Sequence, residues 1–171
     1  MNPIYQSTVP VFSKLLRSLD AILEKTEGWV KEKRIDEAEL LEARLAPDMF
    51  PLVKQVQSVC DNAKNSSARL AGTEAPRHAD EEKTIAELRA RILWTSEYLA
   101  TLSESSFDGA ADRQITLPYF PGKFQKGSDY ALDYVLPNFF FHLVVAYAIL
   151  RMKGLDIGKA DYIGGLTLQD L

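Results

Sequence analysis

The sequence predicts an all-α fold, a four-helix bundle with a short hairpin-like insert before the last helix. Three observations predict it. Four long segments carry apolar residues at helical spacing, strand-like alternation is confined to one short stretch, and the connections are of mixed length. Helices of this length are marginal in water on their own, so each must bury its apolar stripe against the others. The expected organisation is one helical-bundle domain over residues 1–171.

The first segment runs from Ile4 to Glu27 and places Phe12, Leu15, Leu16, Leu19, Ile22 and Leu23 on one face. Pro10 either lies in its first turn or kinks it, and Gly28 is the expected terminator. Trp29 is expected to pack at a bundle end. Residues 32–45 read as a connection with a short helix near Glu37–Glu42, tethered by Leu40, Leu41 and Leu45. Asp48 is the expected cap of the second long helix, with Pro51 in an early position. Val53, Val56, Cys60, Ala63, Ser67 and Leu70 then share a face, and Gly72 closes the segment.

The third helix is expected to begin near Asp80, with Glu81 and Glu82 in its first turn. Ile85, Leu88, Ile92, Thr95, Leu99 and Leu102 follow at alternating steps of three and four, the most regular pattern in the chain. Residues 106–127 differ. Ile115 and Leu117 alternate with Gln114 and Thr116, and Pro118, Pro121 and Gly122 punctuate the stretch, which predicts a short irregular hairpin. The last helix is expected over Asp129 to Lys153, kinked or divided at Pro137 and ended by Gly154. Its apolar content predicts that it is the most buried of the four, followed by the third, then the second and first. The tail after Leu155 is expected to be irregular.

Composition narrows the function classes. Lys and Arg number 20 against 24 Asp and Glu, for a net charge of −4. An acidic chain argues against general nucleic-acid binding, and Lys123 and Lys126 among Tyr119, Phe120 and Phe124 form too brief a basic-aromatic stretch to alter that. The single cysteine, Cys60, permits neither an intrachain disulfide nor a cysteine-based zinc site within one monomer. On a packed face with no activating neighbour in sequence it reads as inert core. The N-terminus lacks the basic and apolar regions of a secretory signal, so a cytoplasmic location is expected. Asp133 and Arg151 bracket 17 uncharged residues, a run that is short for a membrane span and contains Pro137, Asn138 and His142. It reads as a core helix.

The chemistry-bearing candidates are few. His78 lies in a polar connection and reads as solvated surface. His142 interrupts an aromatic run, and a buried imidazole needs a hydrogen-bond partner. It reads as a satisfied core or interface histidine, as a pocket residue, or as a metal ligand. Asn138 lies four residues earlier on the same face. Gln57 and Asp61 lie four apart on the second helix, and Asp61 borders the apolar stripe; either is a solvated edge residue or a group that reaches His142. Position 146 is Ala146, so the last helix lacks a second histidine at i+4. No E-x-x-H, G-x-G-x-x-G, phosphate-loop or G-x-S-x-G motif occurs.

Several separated motifs resemble a known family. Leu136-Pro137-Asn138-Phe139-Phe140-Phe141-His142, Ala146-Tyr147-Ala148-Ile149-Leu150-Arg151, Gly154 and Asp161-Tyr162-Ile163-Gly164 are similar to the signature of an uncharacterised family of bacterial and fungal proteins. Leu45-Ala46-Pro47-Asp48-Met49-Phe50-Pro51-Leu52 and Gln55-Val56-Gln57 resemble its second-helix motif, and Ala68-Arg69-Leu70-Ala71-Gly72 and Glu87-Leu88 extend the match. Members carry a domain of unknown function within the DinB/YfiT-like superfamily. The resemblance implies a DinB-like four-helix bundle with a long crossover near the second and third helices. Members of the wider superfamily often hold a divalent metal through three histidines, one on the second helix and an H-x-x-x-H pair on the last. Here His142 matches the first of that pair, Ala146 replaces the second, and the second helix has no histidine. The triad does not carry over, and no cofactor is expected.

What the resemblance leaves is a polar cluster of Gln57, Asp61, Asn138 and His142, extended by Asp80 or Thr84 from the start of the third helix. Three functional readings follow. The first is a metal-free binder of a small molecule, or a degenerate enzyme, using this cluster. The second is a structural or interaction protein acting as a homodimer, as many superfamily members do. The third is a metal-dependent transferase with carboxylate ligands.

Overall fold

The computed structural model describes residues 1–170. Helix α1 spans Pro3–Lys33, α2 Glu37–Leu41, α3 Leu52–Ala71 and α4 Ile85–Ala100. Two 3₁₀ turns, Glu104–Phe107 and Ala110–Asp112, lead to strands β1 (Gln114–Ile115) and β2 (Gln125–Lys126). The short turn α5 (Gly127–Asp129) continues through a π-helical stretch, Tyr130–Val135, into α6 (Leu136–Lys153), and α7 (Lys159–Ile163) follows. The bundle consists of α1, α3, α4 and the last long helix, with α3 packed against each of the others. The strands pair antiparallel, Gln114 opposite Lys126 and Ile115 opposite Gln125.

Local chemistry explains most boundaries. The Asn2 side chain accepts from the amides of Ile4 and Tyr5, and Pro3 occupies the first helical turn. Helix α1 then runs through Pro10 and Gly28 to Arg34, which takes the left-handed conformation at φ 53°. Gly28 does not terminate the helix because it keeps a helical φ, and Trp29 therefore lies inside α1. Its ring packs beside Gly154 at the end of α6. Helix α2 falls where the sequence places it, capped by Asp36. Helix α3 is preceded by Pro51 rather than capped by Asp48, and Gly72 ends it at φ 72°. The start of α4 is also later than expected. Thr84 and Glu87 form a reciprocal capping box, and Asp80 lies in the crossover before it. The alternating pattern of α4 is fully realised: Ile85, Leu88, Ile92, Thr95, Leu99 and Leu102 are all buried.

The expected order of burial is corrected. Fourteen of the 20 residues of α3 are buried, against six of the 18 in α6. Helix α3 has neighbours on several sides, whereas α6 turns one apolar side outward. Phe141, Val144 and Met152 are about half exposed there. Gly127–Lys153 is long and apolar enough to cross a membrane by length and composition, and 39% of its most apolar window is buried inside the bundle.

The crossover between α3 and α4 has almost no regular structure, and one side chain fixes it. Arg91, 1% exposed, bonds Glu82 Oε1 and Asp61 Oδ1 at 2.8 Å, Asp80 Oδ1 at 2.9 Å and the Ala79 carbonyl at 3.0 Å. Gln57 donates to Glu82 Oε2 at 2.8 Å, Lys54 pairs with Asp80, and Lys64 pairs with Asp61 at 3.2 Å. His78 is packed rather than solvated: it lies 3.3 Å from Glu82 and meets the Trp94 ring edge-on at 4.6 Å between centroids. At the other end of the bundle Gly127 is constrained, because a Cβ there would collide with the Ala110 carbonyl. Arg91→Met is expected to lower unfolding free energy by about 3–5 kcal/mol, since it leaves the buried Glu82 carboxylate without its guanidinium, while Asp61 and Asp80 keep Lys64 and Lys54. The denaturant midpoint measures this.

Candidate functional site

Helix α3 and the last long helix run antiparallel, and two side-chain contacts mark the ends of the cleft between them. At one end His142 Nδ1 lies 2.7 Å from Gln55 Oε1. At the other the Arg69 guanidinium donates to Tyr130 Oη at 3.3 Å. The cleft has a volume of about 330 Å³ and is walled by Phe50 and by Leu117 and Tyr119 of the insert.

Each helix supplies a polar stripe. Ser58, Asn62, Asn65 and Arg69 follow steps of four, three and four along α3. Tyr130, Tyr134, Asn138 and His142 follow steps of four along the last helix. On a straight α-helix a four-residue step drifts by about 40°, so three steps carry a side chain roughly a third of a turn away. The π-helical winding over Tyr130–Val135 has more residues per turn and takes back part of that drift. It keeps Tyr130 and Tyr134 on the same line as Asn138 and His142.

The hydrogen-bond network sets the state of His142. Gln55 Nε2 donates to the Phe50 carbonyl at 3.0 Å, which orients the amide so that Oε1 faces the imidazole as an acceptor. His142 therefore carries its proton on Nδ1, and Nε2 is left as an acceptor. Burial lowers the pKa of His142, so the ring is neutral at neutral pH. The Phe50 ring lies parallel to it with centroids 6.4 Å apart, and Phe141 meets it edge-on at 5.3 Å. Burial also raises the pKa of Tyr130, so its hydroxyl stays protonated and accepts from Arg69. Asn62 is 8% exposed and its buried Oδ1 has no hydrogen-bond partner in the protein.

The sequence-derived candidates fall into two groups. His142, Asn138 and Asp61 line the cleft. Gln57 and Asp80 belong to the Arg91 network, and Thr84 caps α4. Asp61 lies between the two, its Oδ1 already paired with Arg91 and Lys64. The partner of His142 is Gln55, not Asn138, Asp61 or Gln57. Sequence reasoning missed Gln55, Asn62, Arg69, Tyr130 and Tyr134. The four-residue ladder ending at His142 was a readable signal for the tyrosines, as was the helical spacing of Asn62 and Arg69 on α3.

The divalent metal found in the wider superfamily does not fit these residues. Among the described residues no group of three His, Cys, Asp or Glu side chains is placed to hold a metal ion. His142 spends Nδ1 on Gln55, and Asp61 is neutralised by two cations. Cys60 offers no nucleophile, since burial pushes its thiol up to about 12. The cleft can accept a hydrogen bond at His142 Nε2, donate from Arg69, and stack flat groups on its aromatic walls, while Asn62 Oδ1 lies beneath its surface, sealed from solvent.

Comparison with known proteins agrees with this architecture. A family described as a domain of unknown function (DUF1993) matches residues 4–163. The crystal structure of a DinB family member protein from Shewanella denitrificans is 44% identical and superposes with a TM-score of 0.94. The match covers 98% of this chain and 95% of that one. No curated protein matches the chain.

The lowered pKa of His142 gives a signed prediction. The unfolded chain takes up the proton first, so stability is fully present above about pH 6.5 and declines as pH falls below it, towards the folded pKa. His142→Gln is expected to remove that part of the pH dependence in denaturation curves recorded between pH 5 and 7.5.

Proposed function

The chain belongs to the DUF1993 family of DinB-like helical bundles, and we propose that within it this protein is a metal-free binder of a small molecule, held in the cleft between α3 and the last helix. The observation that carries the reading is Asn62. A buried amide oxygen without a partner costs about 1–3 kcal/mol, and this one belongs to a side chain that lines a cleft with a neutral histidine acceptor and aromatic walls. The oxygen is sealed from solvent, so a small rotation of the Asn62 side chain brings it to a ligand donor, and that hydrogen bond relieves the cost. His142 Nε2 accepts a second hydrogen bond, and Phe50 with the tyrosines covers flat or apolar parts of the ligand. The fold alone does not choose among activities, so the reading rests on these side chains. A cytoplasmic location suits it.

Asn62→Leu separates a ligand-binding role from a structural one. It is expected to raise unfolding free energy by about 1–2 kcal/mol, because it removes the unpaired amide. It is also expected to abolish the binding of small aromatic donors such as phenol, followed by chemical-shift changes at Asn138 and His142. A loss of stability would instead make Asn62 part of the packing.

A second reading, association as a homodimer, is favoured by a different observation. Phe141, Val144 and Met152 are exposed apolar side chains of α6. Exposed apolar side chains along one helix suit a self-complementary interface. Sedimentation of the wild type is expected to show a dimer, and Phe141→Glu a monomer with nearly unchanged stability.

A further inference from the structure

We propose that the molecule bound in the cleft is an elongated organic acid, with its carboxylate at Arg69 and a planar ring at the Phe50–His142 end; this rests on the small-molecule reading above. A cation in the last turn of a helix is favourable whatever its side chain meets. Arg69 is set apart by its partner. Among the described residues it forms no ion pair with a carboxylate, and its guanidinium donates to the neutral Tyr130 hydroxyl. A half-buried guanidinium without a counter-charge is poorly stabilised, and its planar fork matches a carboxylate.

The other charges around the cleft support an acid. Asp61 is the carboxylate that lines it, and both Arg91 and Lys64 already neutralise it. His142 contributes no negative charge and, being neutral, no competing cation. The field inside the cleft is therefore set by Arg69.

The length of the cleft supports the remaining part of the ligand. The Arg69–Tyr130 and Gln55–His142 contacts are separated by 12 residues on the last helix and 14 on α3, roughly 18 to 21 Å of helix axis, which the long Arg69 side chain shortens from its end. Asn62 stands between them on α3. A ligand that reaches both ends places its acid beyond Asn62 from its ring and passes over the buried, unpaired Asn62 oxygen. A compact inorganic anion would satisfy Arg69 and leave the aromatic end unused.

The test compares 8-phenyloctanoate, long enough to reach from Arg69 to the aromatic end, with its neutral amide, 8-phenyloctanamide, on the wild-type full chain. Titration is followed by chemical-shift changes at Asn62, Asn138 and His142. The acid is expected to bind about tenfold or more tightly than the amide, the margin of a charge-assisted hydrogen bond. Arg69→Gln is expected to abolish the preference while amide binding persists, and Arg69→Lys to retain part of it. Because acid and amide are first compared on the unaltered protein, a folding defect in either variant does not rescue the inference. Equal affinity for the two probes overturns the inference and leaves the small-molecule reading standing. A preference that survives in a folded Arg69→Gln protein overturns the assignment to Arg69. No shift at the cleft with either probe at millimolar concentration overturns both readings together.

Discussion

The buried guanidinium of Arg91 is the constraint on which the rest of the molecule depends. The chain between α3 and α4 has little regular structure, and carboxylates from both α3 and that crossover converge on one cation. The Arg91–Glu82 pair is deep, costly to form and costlier to break, because either partner alone is left charged in a low dielectric. The arrangement therefore fixes geometry more than it adds stability. It also divides α3 by function. One side of the helix is committed to Arg91 through Gln57 and Asp61, which leaves the side bearing Asn62 and Arg69 to face the last helix.

That division accounts for what could and could not be read from the sequence. The helices were legible because each buries a periodic stripe, and every position of the alternating pattern through α4 is buried, with Arg91 the buried residue it did not include. The alternation at Ile115 and Leu117 likewise yields buried positions in the insert. Helix ends were less legible. Asp48, Gly28 and Asp80 have the right chemistry for caps and stops, but neighbouring residues decide the outcome. Glu87 closes a capping box on Thr84, and Arg34 takes the left-handed turn that Gly28 could have taken. Burial order was misjudged because apolar content measures what a helix could bury, while its number of neighbours decides what it does bury.

The cleft was half legible. His142 and Asn138 stand out in sequence as polar interruptions of an aromatic run. Their companions on α3 do not, because asparagine, serine and arginine on a helix look like an ordinary wetted face. Pairing distant carboxylates with His142 failed for a physical reason: an acid beside a buried arginine is held by it, and a neutral imidazole gains more from an oriented amide. The outward apolar face of α6 was concealed in the same way, since Phe141 and Val144 are indistinguishable in sequence from the buried Phe139 and Leu143.

The π-helical stretch at Tyr130–Val135 carries a consequence for how this protein tolerates change. The widened turn absorbs extra backbone without breaking the helix, and it aligns the tyrosines with the imidazole twelve positions later. Losing one residue there while the stretch tightens to ordinary winding would leave everything upstream in nearly the same orientation, because the roughly 100° of lost turn is offset by the tighter winding of the rest. A deletion in the regular part of α6 has no such slack and would turn the hydroxyl facing Arg69 away by about 100°. Relatives that share the cleft should therefore keep the two tyrosines and the length of α6 between Leu136 and His142, and differ in length, if anywhere, inside the widened turn.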